Sequence, residues 1–190
     1  ITEDISALDT GTYTVNILDA CSTLLSDTAE VIEPSVLTTN MSSTAVSCYG
    51  SGDGTATVTP SGGTSPYNYL WSNGQTNATA VGLFSGTYTV NVTDANGCLA
   101  SDIVTISQPP ALNAVIVSSV DVACLGDSTG EAIVNASGGT SPYNYLWDDP
   151  GASTDATLAG IPAGNYTATV TDNNGCVATD STTLSEPPVL

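Results

Sequence analysis

The sequence predicts an all-β chain of tandem seven-stranded β-sandwich modules, joined head to tail. Three observations predict it. The segment Ser61-Gly62-Gly63-Thr64-Ser65-Pro66-Tyr67-Asn68-Tyr69-Leu70-Trp71 recurs letter for letter as Ser137 to Trp147. Helix signals are almost absent. Short alternating runs of β-branched and aromatic residues, such as Thr55 to Thr59, Tyr67 to Trp71, Thr87 to Thr93 and Ile103 to Ile106, are punctuated by Gly, Pro, Asn and Asp at regular spacing.

The repeat sets the organisation, because self-similarity at a fixed period governs the whole fold. Trp71 and Trp147 lie 76 residues apart, as do Cys48 and Cys124, while Cys98 and Cys176 lie 78 apart. A second landmark is Gly86-Thr87-Tyr88-Thr89-Val90, which returns as Gly164-Asn165-Tyr166-Thr167-Ala168 and stands near the start as Gly11-Thr12-Tyr13-Thr14-Val15. The copies close alike, at Ile32-Glu33-Pro34, Ser107-Gln108-Pro109-Pro110 and Ser185-Glu186-Pro187-Pro188. The expected division is the second half of a module at residues 1–37, a complete module at 38–112 and another at 113–190. The chain thus starts in mid-module and reads as a piece of a longer protein or the ordered part of one. The period exceeds the roughly 20–50 residues of solenoid repeats and suits a small domain. A core in so short a domain is thin, so covalent staples are expected.

Within a module, Gly52-Asp53-Gly54 and Ala95-Asn96-Gly97 read as hairpin turns. Period-two alternation puts Tyr67, Tyr69 and Trp71 on one face of a strand. Trp71 and Trp147 then take the place of the buried Trp on the third strand of an immunoglobulin-like sandwich, and Tyr88, Tyr166 and Tyr13 fit a tyrosine corner opening the sixth. An aromatic sugar-binding platform is the alternative for these rings; core packing is the reading adopted.

Composition excludes several functions. The chain has no Lys, Arg or His against 19 Asp and Glu, a net charge of −19. Without basic side chains it cannot neutralise phosphates or be drawn to anionic membranes. It has no His or Lys base, no Schiff-base amine and no Arg clamp, and no carboxylate-pair motif, so no enzyme is expected. Lys–Asn isopeptide crosslinks are impossible. No Cys-x-x-Cys or Cys/His set suggests zinc. Five cysteines in a thin-cored, Ser/Thr-rich repeat chain point to an oxidising, extracellular setting. Neither a signal peptide nor a membrane span is visible.

The combined pattern Gly-Gly-Thr-x-Pro-Tyr-x-Tyr-x-Trp, then Gly-x-Tyr-Thr-x-x-Val-Thr-Asp-x-Asn-Gly-Cys, then Pro-Pro, resembles the SprB-type repeat of very long surface adhesins in gliding Bacteroidota, which is similar to PKD-like, Ig-like domains. The resemblance covers both complete modules and extends through residues 1–37. It implies structural or adhesive arrays of cell-surface adhesins and extracellular filaments, exported by the type IX route and without enzyme activity. The expected partners are neighbouring modules, other copies of the chain in a fibre, and surface glycans. A carbohydrate-binding or spacer module of a secreted multidomain hydrolase is the alternative. The first, partial module departs from the pattern: Leu18-Asp19-Ala20-Cys21 lacks the Asn-Gly turn, so a shorter hairpin is expected there.

Sandwich topology bears on the cysteines. Cys48 and Cys124 precede the turn between the first and second strands, whereas Cys98 and Cys176 follow the turn between the sixth and seventh. These turns lie at opposite ends, about 30 Å apart at ~3.3 Å per residue, while a disulfide needs Cα atoms within about 7 Å. Bonds within modules, 48–98 and 124–176, are the usual arrangement for a domain; the geometry instead favours a bond between modules, 48–176. Both stay open, and Cys21 is expected to find its partner outside the chain. Stacking also gathers Asp53, Asp94, Asn96, Asp127, Glu131, Asp172 and Asn174 near module ends, an oxygen-rich set suited to Ca²⁺. Asn40, Asn77, Asn91, Asn135 and Asn165 open glycosylation sequons, and Thr28, Ser128 and Ser181 lie in Asp-Ser/Thr-x segments resembling the O-glycosylation motif of the same bacterial group.

Overall fold

A computed structural model describes residues 6–188. All regular structure among them is β: fourteen strands in five antiparallel sheets. Strands β1 (Gly11–Leu18) and β2 (Leu24–Val31) form a two-stranded hairpin. The next six are β3 (Thr38–Thr44), β4 (Gly54–Ser61), β5 (Asn68–Trp71), β6 (Thr79–Leu83), β7 (Gly86–Thr93) and β8 (Leu99–Ile106). They make two sheets, ordered β3-β4-β6 and β5-β7-β8. Strands β9 (Asn113–Val120), β10 (Gly130–Ser137), β11 (Asn144–Trp147), β12 (Thr157–Ile161), β13 (Gly164–Thr171) and β14 (Val177–Leu184) repeat the arrangement as β9-β10-β12 and β11-β13-β14. First, second and fifth strands in one sheet, with third, sixth and seventh in the other, is the division of an immunoglobulin-like sandwich.

The expected seven strands become six. Only seven residues separate Trp71 from Thr79, and they are consumed by a turn. Gly74 N–H donates to the Trp71 carbonyl at 2.9 Å, and the Trp71 indole N–H donates to the Asn77 carbonyl at 2.8 Å. No chain is left to build a fourth strand at that edge.

Alternation gives each module its core. In β7, Val90 and Val92 are fully buried while Thr89 and Asn91 face solvent. They pack with Trp71, Val58, Leu83 and Ile106 in one cluster; Trp147, Val134, Leu158, Val170 and Leu184 centre the other. The two clusters share no residue, so each module has an independent core. Trp71 and Trp147 are each 1% exposed, which removes them as a sugar platform. Tyr88 and Tyr166 donate to the carbonyls of Phe84 and Pro162, four residues upstream, at 3.1 and 2.9 Å, closing the tyrosine corners.

The first hairpin corrects one expectation. The turn Asp19 to Thr23 is as long as Asp94 to Cys98, because Leu18 pairs with Leu24 just as Thr93 pairs with Leu99. Ser22 takes the left-handed backbone (φ 64°) that Gly97 takes (φ 85°), so the turn forms without glycine. Counted in this register, Cys21 stands opposite Asn96, and Thr23 holds the place of Cys98. Cys21 is therefore not the counterpart of Cys98 and Cys176.

Candidate functional site: the module junction

The repeated Ser-Gly-Gly-Thr segment ties three pieces of chain together at the upper end of each module. Gly63 N–H donates to the Ser35 carbonyl (2.7 Å) and Gly139 N–H to the Pro110 carbonyl (2.9 Å), so each incoming linker is held by the loop after the second strand. A Cβ at Gly62 would collide with the Val36 carbonyl, and one at Gly138 with the Ala111 carbonyl; both glycines also have positive φ (74° and 71°). At Gly63 and Gly139 a Cβ would lie 2.8 and 2.6 Å from a carboxylate oxygen of Asp94 and Asp172. Backbone approach this close admits only glycine. Tyr67 and Tyr143 finish the knot with hydroxyl bonds of 2.6 Å to the carbonyls of Gly62 and Gly138.

Asp94 and Asp172, each 3% exposed, are the centres of these knots. Asp94 accepts backbone N–H bonds from Thr64 (2.9 Å), Asn96 (2.9 Å) and Cys98 (2.8 Å). Asp172 accepts the same set from Thr140 (2.8 Å), Asn174 (2.9 Å) and Cys176 (2.9 Å). For Asp94, the Thr64 N–H leads the donors that hold its carboxyl below the usual carboxylate range. For Asp172, burial pushes the pKa up, but the N–H groups of Thr140, Cys176, Asn174 and Gly175 together outweigh it and the net shift is down. A lowered folded-state pKa gives stability that is complete above about pH 4, the unfolded value, and is lost as pH falls through the folded one. Asp172→Asn is expected to lower the melting temperature of the second module at pH 7. The difference from the parent should shrink as pH drops below about 4; thermal melts across pH 2–7 check it.

The knot of the second module presents Cys176 to the module above. Cys176 bonds Cys48, with 5.7 Å between their Cα atoms and 128 residues between them in sequence. Asn174 Nδ2 donates to the Ser47 carbonyl across the junction at 2.9 Å, and also to Thr140 Oγ1 at 3.1 Å. A small cleft beside the bond is lined by Cys48, Tyr49, Ala111, Leu112, Cys176 and Val177. The Cys48 corner is itself fixed. Ser47 N–H donates to Asp53 Oδ1 (3.0 Å), Val46 N–H to the Ser107 carbonyl (3.1 Å), and Gly50 N–H to Gln108 Oε1 (3.1 Å).

Pairing within modules, 48–98 and 124–176, is not what the structure contains. Cys48 lies at the lower end of its sandwich and Cys98 at the upper end, separated by the length of β3 or β7. Cys98, Cys124 and Cys21 are exposed and unbonded.

The residues expected to suit Ca²⁺ are placed as follows. Among the described residues no three Asp, Glu, Cys or His side chains converge as a metal group. Asp94 and Asp172 accept backbone N–H groups, and Asp53 serves the Cys48 corner. Asp127 Oδ1 accepts from Ser128 N–H at 2.9 Å. Glu131 sits on β10. The amides of Asn96 and Asn174 donate to Thr64 and Thr140 hydroxyls. The eight glycosylation candidates, Asn40, Asn77, Asn91, Asn135, Asn165, Thr28, Ser128 and Ser181, are all exposed. Asn91 and Asn165 already accept hydroxyl bonds of 2.7 Å from Ser101 and Thr183.

A chain of immunoglobulin-like modules clamped end to end by a covalent bond is a repeat array. The family model described as SprB repeat matches residues 40–76 and 116–152, one segment in each complete module. Each match runs from the first strand of a complete module through the third. Solved structures with similar folds include one described as the structural basis for Dscam isoform specificity (12% identity, 88% of this chain and 52% of that one, TM-score 0.37). A C-terminal fragment of intimin, solved with the intimin-binding domain of its translocated receptor, gives 14% identity over 82% of this chain and 64% of that one, TM-score 0.40. A tetra-tandem repeat from the extending region of a large adhesion protein gives 18% identity, 95% and 58% coverage, and TM-score 0.26. The chain spans less than two thirds of each. The fold assignment rests on strand order rather than on these superpositions. A search of curated proteins finds no match.

Proposed function

We propose that this chain is a load-bearing section of an extracellular filament or surface adhesin, acting mechanically rather than catalytically. The observation that carries the reading is the Cys48–Cys176 bond, which joins successive modules across their junction instead of closing either one. A bond to a neighbour closes neither sandwich on itself; it gives the array a fixed angle between units. The Pro109-Pro110 linker supports the same end, because proline restricts φ and keeps the connection extended. A disulfide persists in oxidising surroundings, which fits a location outside the cell. The charge of −19 keeps a long polymer soluble and self-repelling. Its partners are further modules of the same kind, within a chain or between chains.

Imaging of the native assembly tests the reading. Beaded rods of uniform width on the cell or in shed fibres are the expected result, while a compact secreted particle would contradict it. In solution, small-angle scattering of the oxidised chain should give a narrow interatomic-distance profile that broadens after reduction. An unchanged profile would remove the clamp from the argument.

A further inference from the structure

Hairpin β1–β2 is the β7–β8 hairpin displaced by 75 residues. Gly11 pairs with Val31 as Gly86 pairs with Ile106. Asp19 Oδ1 receives the N–H groups of Cys21 and Thr23, both at 2.8 Å, as Asp94 Oδ1 receives those of Asn96 and Cys98. Tyr13 donates to the Asp9 carbonyl at 2.9 Å, the same corner that Tyr88 makes. Ala7 has φ 57° where Gly82 has 66°. The hairpin therefore carries the register, the Asp-centred turn and the tyrosine corner of the β7–β8 hairpin.

What differs is its cover. Val90 and Val92 are 0% exposed beneath β3–β5, whereas Val15 and Ile17, in their places, are 53% and 57% exposed. Polar groups along the same edge also wait. Asp102 and Asp180 each hold the first strand of their module, accepting from Thr39 Oγ1 (3.1 Å) and Ile116 N–H (2.7 Å). Asp27, at that position, accepts only from its neighbour Thr28 (2.9 Å). Gln108 and Glu186 accept the N–H of Gly50 and of Gly126, just after the corner cysteine, at 3.1 and 2.9 Å. Glu33 occupies that place after β2. Below it Cys98 sits on the knot that, one module later, offers Cys176 to Cys48. A cleft beside Cys98 is walled by Val36, Leu37 and Leu99, the positions filled by Ala111, Leu112 and Val177 at the closed junction.

We propose that hairpin β1–β2 and Cys98 form one composite docking surface for a three-strand polypeptide of the β3–β5 type, whose corner cysteine bonds Cys98. The occupant is the first half of a SprB repeat, the same stretch that the family match spans. Its apolar face covers Val15 and Ile17, its first strand reaches Asp27, and its corner loop reaches Glu33. Bond formation removes one proton and one electron from each thiol. A small disulfide takes them and leaves as two thiols. The surface goes beyond the array reading, since it specifies which polypeptide completes the hairpin and where it is locked.

The test extends the full chain by placing a copy of residues 38–75 directly before Ile1, which keeps the 75-residue register. The protein is refolded in reduced and oxidised glutathione. Peptide mapping should find the added corner cysteine linked to Cys98, and amide exchange in β1–β2 should slow at least tenfold against the unextended chain. Val15→Asp with Ile17→Asp, in the extended chain, should abolish that slowing while both complete modules melt unchanged. Cys98→Ser should lose the crosslink and keep the protection. An alkylatable Cys98 together with unchanged hairpin exchange overturns the proposal. So does a Cys98–Cys124 bond between two unextended copies, which would show whole-module stacking at that surface.

Discussion

Pulling the oxidised chain by its ends is expected to release roughly 400 Å less contour length than pulling Cys48→Ser/Cys176→Ser. The 128 residues between the bonded cysteines form a closed loop that carries no tension, and an extended residue spans about 3.3–3.6 Å. The load path runs along β3 to Cys48, across to Cys176 and out along β14, so most of both sandwiches is bypassed. Single-molecule extension with and without reductant measures the difference directly. Equal lengths would mean that the junction bond does not form in solution. The same variant should be less stable by about 2–4 kcal/mol, since a crosslink over a long loop restricts the unfolded chain. Chemical denaturation should also resolve the two modules into separate transitions once the bond is gone.

Trp71→Ala is expected to cost about 3–5 kcal/mol, a large share of what a domain of this size has. Trp71 is the largest fully buried side chain in its module and also closes the turn after β5 through its indole N–H. The substitution leaves a cavity and an unpaired Asn77 carbonyl. Trp147→Ala should do the same to the second module, through the lost bond to the Asp155 carbonyl. Because the cores share no residue, each substitution should lower only its own transition in the Cys48→Ser/Cys176→Ser background. Differential scanning calorimetry of the variants checks this; a joint loss of both transitions would show that the modules fold as one unit.

Much of this was legible in the residues. Alternation in Thr87 to Thr93 marks a half-buried strand, and the strand's neighbours follow once the order of turns is known. The turn at Asp19 keeps its five residues without the Asn-Gly pair from which a shorter hairpin is expected. The Asp carboxylate, receiving two backbone N–H groups, sets the loop length, and Ser22 tolerates the left-handed backbone. The signal that could have found the true register was Asp19 itself, five residues before Leu24. The hydrogen-bond partners of Asp94 and Asp172 are backbone donors, which carry no residue identity and so leave no motif. The missing seventh strand could have been inferred from the short span between Trp71 and Thr79.

The sequence alone determined the repeat period, the strand periodicity and the core aromatic rings, because these depend on composition and local alternation. It reduced the cysteines to two schemes and could go no further. Only the tertiary structure decided between them, since a disulfide is set by which ends of two sandwiches meet. That meeting depends on the linker, the glycine knot and Asn174 acting together, over a separation of more than a hundred residues.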